Sequence, residues 1–132
     1  MDKTPLTTIP RMIIIPRMKQ TFIQVSRFVA KWRSLKLNDA DLSALESLLM
    51  ADPNTGDVMA GAGGVRKVRF APPSRHTGKS GAFRVAYAYF RVGETVYLLT
   101  IFGKNEQENF TAAQKAEFKV LMKVLAEYHK PK

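Results

Sequence analysis

The chain has 132 residues, 45% of them apolar, which suits one domain around one core and leaves no room for a separate catalytic module. It has no cysteine, so disulfides, thiolate metal sites and cysteine nucleophiles are excluded together, and a reducing cytoplasm fits best. Lys and Arg number 21 against 11 Asp and Glu, and the resulting formal net charge of +10 favours phosphate-rich or acidic partners.

Residues 1–17 contain Pro5, Pro10 and Pro16 and no sustained helical or alternating pattern, so they read as a flexible N-terminal arm or an upstream start artefact. Met18 is then a candidate start, and the domain proper spans 18–132. The apolar run Met12 to Ile15 is closed by Pro10, Arg11, Pro16 and Arg17 and is far too short for a membrane span or a signal peptide. A cytoplasmic protein with no membrane partner is expected.

Phe22, Ile23 and Val25 suit a short strand, and Phe28, Val29, Trp32 and Leu35 follow at helical spacing. Asn38 is a good N-cap with Asp41 three residues on, and Leu42, Leu45, Leu48 and Leu49 stripe a second helix that Asp52, Pro53, Asn54 and Gly56 end. Gly61, Gly63 and Gly64 lead into a strand in which Val68 and Phe70 face one way while Lys67 and Arg69 face the other. A polar loop, Pro72 to Gly81, joins it to Phe83, Val85, Tyr87 and Tyr89, which alternate with Arg84, Ala86 and Ala88 as in a wide hairpin.

After a turn at Gly93 and Glu94, Val96 to Phe102 is apolar on both faces, as a central covered strand requires. Thr111 and Gln114 form a capping box, and Phe118, Leu121, Met122, Leu125 and Tyr128 supply the stripe of a closing helix. The order is βααβββα, an α+β fold with helices packed on a small, mainly antiparallel sheet.

Several tempting motifs fail on context. Gly78, Lys79 and Ser80 resemble the end of a phosphate-binding loop, but Pro73 stands where its first glycine belongs and a strand follows instead of a helix. Gly61, Gly63 and Gly64 lack the strand-before, helix-after setting of a dinucleotide fingerprint and read as turn glycines. His76 and His129 have no ligand-spaced partner, Ser74 and Ser80 sit in no nucleophile elbow, and the carboxylates form no facing pair. No metal and no nucleotide cofactor are expected.

What remains is the distribution of charge. Between Asp57 and Glu94 lie 36 residues without a carboxylate, where 36 × 11/132, about three, would be expected; the same stretch holds Arg66, Lys67, Arg69, Arg75, Lys79, Arg84 and Arg91. Cutting RNA without a metal requires the ribose 2′-hydroxyl to attack its own phosphate, and the crowded negative charge of that transition state calls for fixed cations. Lys67 and Arg69 share a strand face, and Arg84 on the adjoining strand joins them if the register allows. Ala86 and Ala88, on the face of Arg84, either leave space beside these cations or lie under a packed helix.

These residues also carry a resemblance. Gly56-Asp57-Val58, the run from Gly61 to Arg69, Gly78-Lys79-Ser80-Gly81, Arg84-Val85-Ala86-Tyr87 and the run from Tyr97 to Glu106 resemble, in order and across roughly residues 18–128, the HigB branch of the RelE-like toxins. The resemblance implies a ribosome-dependent mRNA endonuclease that inhibits translation and is held inactive by a cognate antitoxin. It carries the catalytic role onto Lys67, Arg69 and Arg84, and Lys104 matches a lysine at the end of the last strand. Arg66, Arg75, His76, Lys79 and Lys104 are the candidate RNA-binding residues. Asn105 stands where well-known members have an arginine, Thr111 where they have a tyrosine, with Phe110 beside it. Tyr87 matches a family tyrosine, but its alternation with core residues favours packing. Two rivals share these features: a ParE-like toxin directed at DNA gyrase, and a non-catalytic nucleic-acid-binding module.

Overall fold

The computed structural model describes residues 20–75, 82–107 and 109–131, so the expected arm and the loop residues His76 and Lys79 lie outside the described residues. The chain runs β1 (Thr21–Gln24), α1 (Ser26–Ser34), α2 (Asp39–Ala51), β2 (Asp57–Val58), β3 (Arg66–Phe70), β4 (Phe83–Phe90), β5 (Thr95–Gly103) and α3 (Ala112–Tyr128). The strands form one sheet in the order β1-β5-β4-β3-β2, with β1 parallel to β5 and the other pairings antiparallel. This is the expected α+β order with one strand added. β2 has only two residues, too few to show any periodicity, and exists because Asp57 and Val58 pair with Lys67 and Arg66 on the edge of β3.

Both caps form as the sequence dictates. The Asn38 side chain accepts from the Asp41 N–H at 2.8 Å while the Asp41 carboxylate accepts from the Asn38 N–H at 3.0 Å. Thr111 and Gln114 make the same reciprocal pair at the start of α3.

The sheet is covered on both faces. On one, Phe28 and Trp32 of α1 and Leu45 and Leu49 of α2 pack with Phe70, Phe83, Val85, Tyr87, Val96, Leu98 and Ile101. On the other, Phe118 and Leu125 of α3 and the turn residues Met59, Ala62 and Val65 pack with Ala86, Ala88, Tyr97, Leu99 and Phe102. β5 lies between β1 and β4, which is why nearly every one of its side chains is buried. Its register against β4 slips once: Ala86 faces Thr100 but Tyr87 faces Leu98. The extra residue at Leu99 is a β-bulge, and it lets Leu98 and Ile101, three apart, serve the same core.

The glycine turn reads as expected. Gly63 has φ +71°, and a Cβ there would lie 3.1 Å from Lys119 Cα and 3.2 Å from Met122 Cβ, so its bareness lets the turn seat on α3. Gly56 has a different reason: a Cβ would lie 2.7 Å from the Lys67 carbonyl oxygen and 2.9 Å from the Tyr87 ring.

Candidate active site

In the β3–β4 ladder Arg69 stands opposite Arg84 and Lys67 opposite Ala86. Opposed residues in an antiparallel pair share a face, so Lys67, Arg69 and Arg84 come together on the α3 side of the sheet, with Phe102 of β5 opposite Arg84 on its other flank. They frame a depression of about 430 Å³ whose walls also carry Asp57, Lys104 and Asn109. Arg69, Lys104, Asp57 and Asn109 are exposed, and Lys67 and Arg84 are half-buried. Ala86 and Ala88 are fully buried in the α3 core, so they serve packing and do not open the pocket.

Among the described residues, four cations and one carboxylate therefore line the pocket. The ion pairs among the described residues, Arg27–Glu117, Lys31–Glu106 and Lys130–Glu127, all lie elsewhere. Lys67 Nζ reaches the Asn109 side-chain oxygen at 3.4 Å, and Arg84 Nη1 donates to the Ala82 carbonyl at 3.1 Å. Both partners are neutral, so these two contacts orient Lys67 and Arg84 without matching their charge. Like charges opposed across a ladder are unfavourable, and the arrangement becomes favourable when an anion lies between them. Several cations converge on one pocket, an arrangement whose charge suits an anion.

The remaining candidates separate. Lys104 joins the pocket. Arg66 does not: Nη1 donates to the Gly56 carbonyl at 2.7 Å and to the Asn54 carbonyl at 3.2 Å, pinning the turn before β2. Arg75 donates to the Leu35 carbonyl and lies over the Phe83 ring at 5.7 Å, on the α1–α2 side. His76 and Lys79 fall outside the described residues.

Tyr87 is fully buried; its hydroxyl accepts from the Gly56 N–H at 2.9 Å and donates to the Pro53 carbonyl at 2.8 Å. Burial pushes this hydroxyl above its ordinary range, so it stays protonated and structural. Phe110 is buried against Phe102 and Phe118, and Thr111 is occupied as the N-cap of α3, so neither serves the pocket. Asp57 and Asn109 enter the site without having been singled out by the sequence. Asp57 had marked the boundary of the carboxylate-free stretch and stood in the Gly56-Asp57-Val58 run that carries the resemblance, and neither signal gave it a role in the site.

Among the described residues no group of three or more His, Asp or Glu could hold a metal ion, and no helix is long and apolar enough to cross a membrane.

A mixed sheet covered by helices, with a pocket rich in cations on one face, defines a small α+β protein. The family model described as the RelE toxin of the RelE/RelB toxin-antitoxin system matches residues 19–132, and the chain belongs to this RelE toxin family. It is thus a toxin of a toxin–antitoxin system, a class that implies an antitoxin partner. The fold agrees: a mutant of the E. coli toxin RelE, solved in the free state, is similar with a TM-score of 0.51 at 14% identity, covering 78% of this chain and 99% of that one.

Proposed function

We propose that this toxin is a metal-independent endoribonuclease of the HigB branch that cuts mRNA on the ribosome in the cytoplasm and so stops translation. The observation that supports this reading is the convergence of Lys67, Arg69 and Arg84 with Lys104 on one pocket, with none of the four in an ion pair among the described residues. Arg69 and Arg84, opposed across the ladder, hold the non-bridging oxygens of the scissile phosphate. Lys67, beside them, adds charge where the phosphorane develops, and Lys104 positions the strand from the end of β5. His76 and Lys79, between β3 and β4 in the sequence, are assigned to the RNA backbone. Arg66 and Arg75, engaged with carbonyls of their own chain, are assigned to structure instead.

A cognate antitoxin holds the toxin inactive through an acidic or amphipathic segment, for which a domain of net charge +10 with an uncovered cationic pocket offers complementarity. Cells that express the chain without its antitoxin stop growing under this reading. Primer extension on their mRNA shows new ends confined to translated messages. Intact mRNA with DNA-damage signalling would place the toxin on gyrase, and RNA binding without new ends would leave a binding module.

A further inference from the structure

Transphosphorylation needs a group that removes the 2′ proton, and the four cations of the pocket are poor candidates, because a guanidinium keeps its protons in proteins and an ammonium has no lone pair to offer. We propose that Asp57 is the general base of this site, an inference that rests on the nuclease reading above.

Three observations carry it. Asp57 is opposite Lys67 in the β2–β3 ladder, so its side chain shares the face of Lys67, Arg69 and Arg84 and lines the same pocket. It is the one carboxylate among the described lining residues, is exposed, and is held in none of the ion pairs among the described residues. Asn109, the other polar group there without a positive charge, offers an amide that is not basic. Its backbone is also pinned on both sides. Before it, the Gly56 N–H donates to the Tyr87 hydroxyl at 2.9 Å and the Gly56 carbonyl accepts from Arg66 at 2.7 Å; after it, the Met59 N–H donates to the Val65 carbonyl at 2.9 Å. A carboxylate placed on a two-residue strand by a buried tyrosine, an arginine and a glycine that admits no Cβ has a built position beside the cations.

The Asp57 carboxylate takes the proton of the 2′-hydroxyl, the 2′ oxygen forms a bond to phosphorus, and the bond from phosphorus to the 5′ oxygen breaks with its electron pair on that oxygen. The 5′ oxygen takes a proton from water, and Asp57 releases its proton to solvent. The products are a 2′,3′-cyclic phosphate and a 5′-hydroxyl. Lys67, Arg69 and Arg84 compensate the charge at phosphorus throughout.

The test adds the wild-type chain, D57N, D57S or D57E to a reconstituted translation reaction programmed with a short mRNA, in single-turnover conditions. Binding is measured in parallel with the same mRNA blocked by 2′-O-methyl groups. A general base predicts that D57N and D57S slow cleavage by roughly 10²–10⁴-fold. Their binding of the blocked mRNA stays equal or tightens, because a negative charge has left a cationic pocket, and D57E retains more rate than either. D57S stands in if D57N loses its circular-dichroism spectrum. Neutral variants within about threefold of the wild-type rate overturn the role. So does a rate loss matched by an equal loss of binding and shared by D57E, the behaviour of a carboxylate that only holds Lys67 in place. A wild-type chain that leaves the mRNA uncut is a different failure, because it overturns the nuclease reading and the role of Asp57 with it.

Discussion

Arg69 and Arg84 face each other directly across the β3–β4 ladder, the one like-charged pair in the described sheet register. Opposed Cβ atoms in such a ladder lie about 4.5–5.5 Å apart, close enough for the two guanidiniums to repel when nothing lies between them. A phosphate placed there converts the repulsion into two charge-assisted contacts. Replacing Arg69, Arg84 or Lys67 with alanine lowers mRNA cleavage on the order of a hundredfold. None of the three side chains fills either core, so the thermal midpoint does not fall. R69A or R84A gains about 0.2–1 kcal/mol from the lost repulsion. Single-turnover cleavage and thermal denaturation of the same preparations check both parts.

Lys104 follows the end of β5 and lines the pocket, but it has no cross-strand partner among the three central cations. K104A therefore loses cleavage on the order of tenfold, about 1.4 kcal/mol of transition-state stabilisation. The same assay run over all four alanine variants measures the difference. Equal losses at the four positions would show that the pocket responds to total charge alone.

The Tyr87 hydroxyl serves Gly56 and Pro53 from a fully buried position. Tyr87→Phe leaves a buried N–H and a carbonyl without this partner, so it costs about 1–3 kcal/mol of stability in a urea titration. Cleavage by the folded fraction falls far less than in the arginine variants, because the hydroxyl points at backbone and not at the pocket.

Asp41 is fully buried. It accepts from the Ser74 hydroxyl at 2.6 Å, the Ser74 N–H at 3.0 Å and the Asn38 N–H at 3.0 Å. Burial alone would raise this carboxyl, but the bonds from Ser74 and Asn38, with Arg75 nearby, hold it below its ordinary 3.8. A carboxyl lowered in the folded state contributes stability that is present above its unfolded value and is lost as pH falls through the folded one. Asp41→Asn is therefore less stable than the wild type near neutrality by about 1–3 kcal/mol. Its stability also declines less steeply below about pH 4. Chemical denaturation at a series of pH values reads out both effects.

The family match begins at residue 19, and the described sheet and both described cores are built from Thr21 onward. Removing residues 1–17 shifts the thermal midpoint by no more than about 4 °C, less than 1 kcal/mol in a domain of this size. A larger fall in a melting experiment would mean that Ile13, Ile14 and Ile15 bury surface against the domain.

The sequence by itself determined what local chemistry determines. The Asn38–Asp41 and Thr111–Gln114 capping boxes mark helix starts because each closes over three residues. The alternation of Val68 and Phe70 with Lys67 and Arg69 separates core from cationic face because strand side chains repeat every two residues. Only the tertiary structure decided the rest. Register sets which cations oppose each other, and Arg69 meets Arg84 through a connection whose length alone fixes no register. Arg66 and Arg84 lie in the same carboxylate-free stretch and look equivalent there, yet one meets carbonyls of its own chain and the other lines the pocket. Asp57 and Asn109 are 52 positions apart, as 109 minus 57, and they reach one site because β2 is pinned to the edge of β3 while α3 packs on the sheet beside them. A charged side chain's role depends on the partner it meets, and non-local packing, which local periodicity does not encode, brings that partner to it.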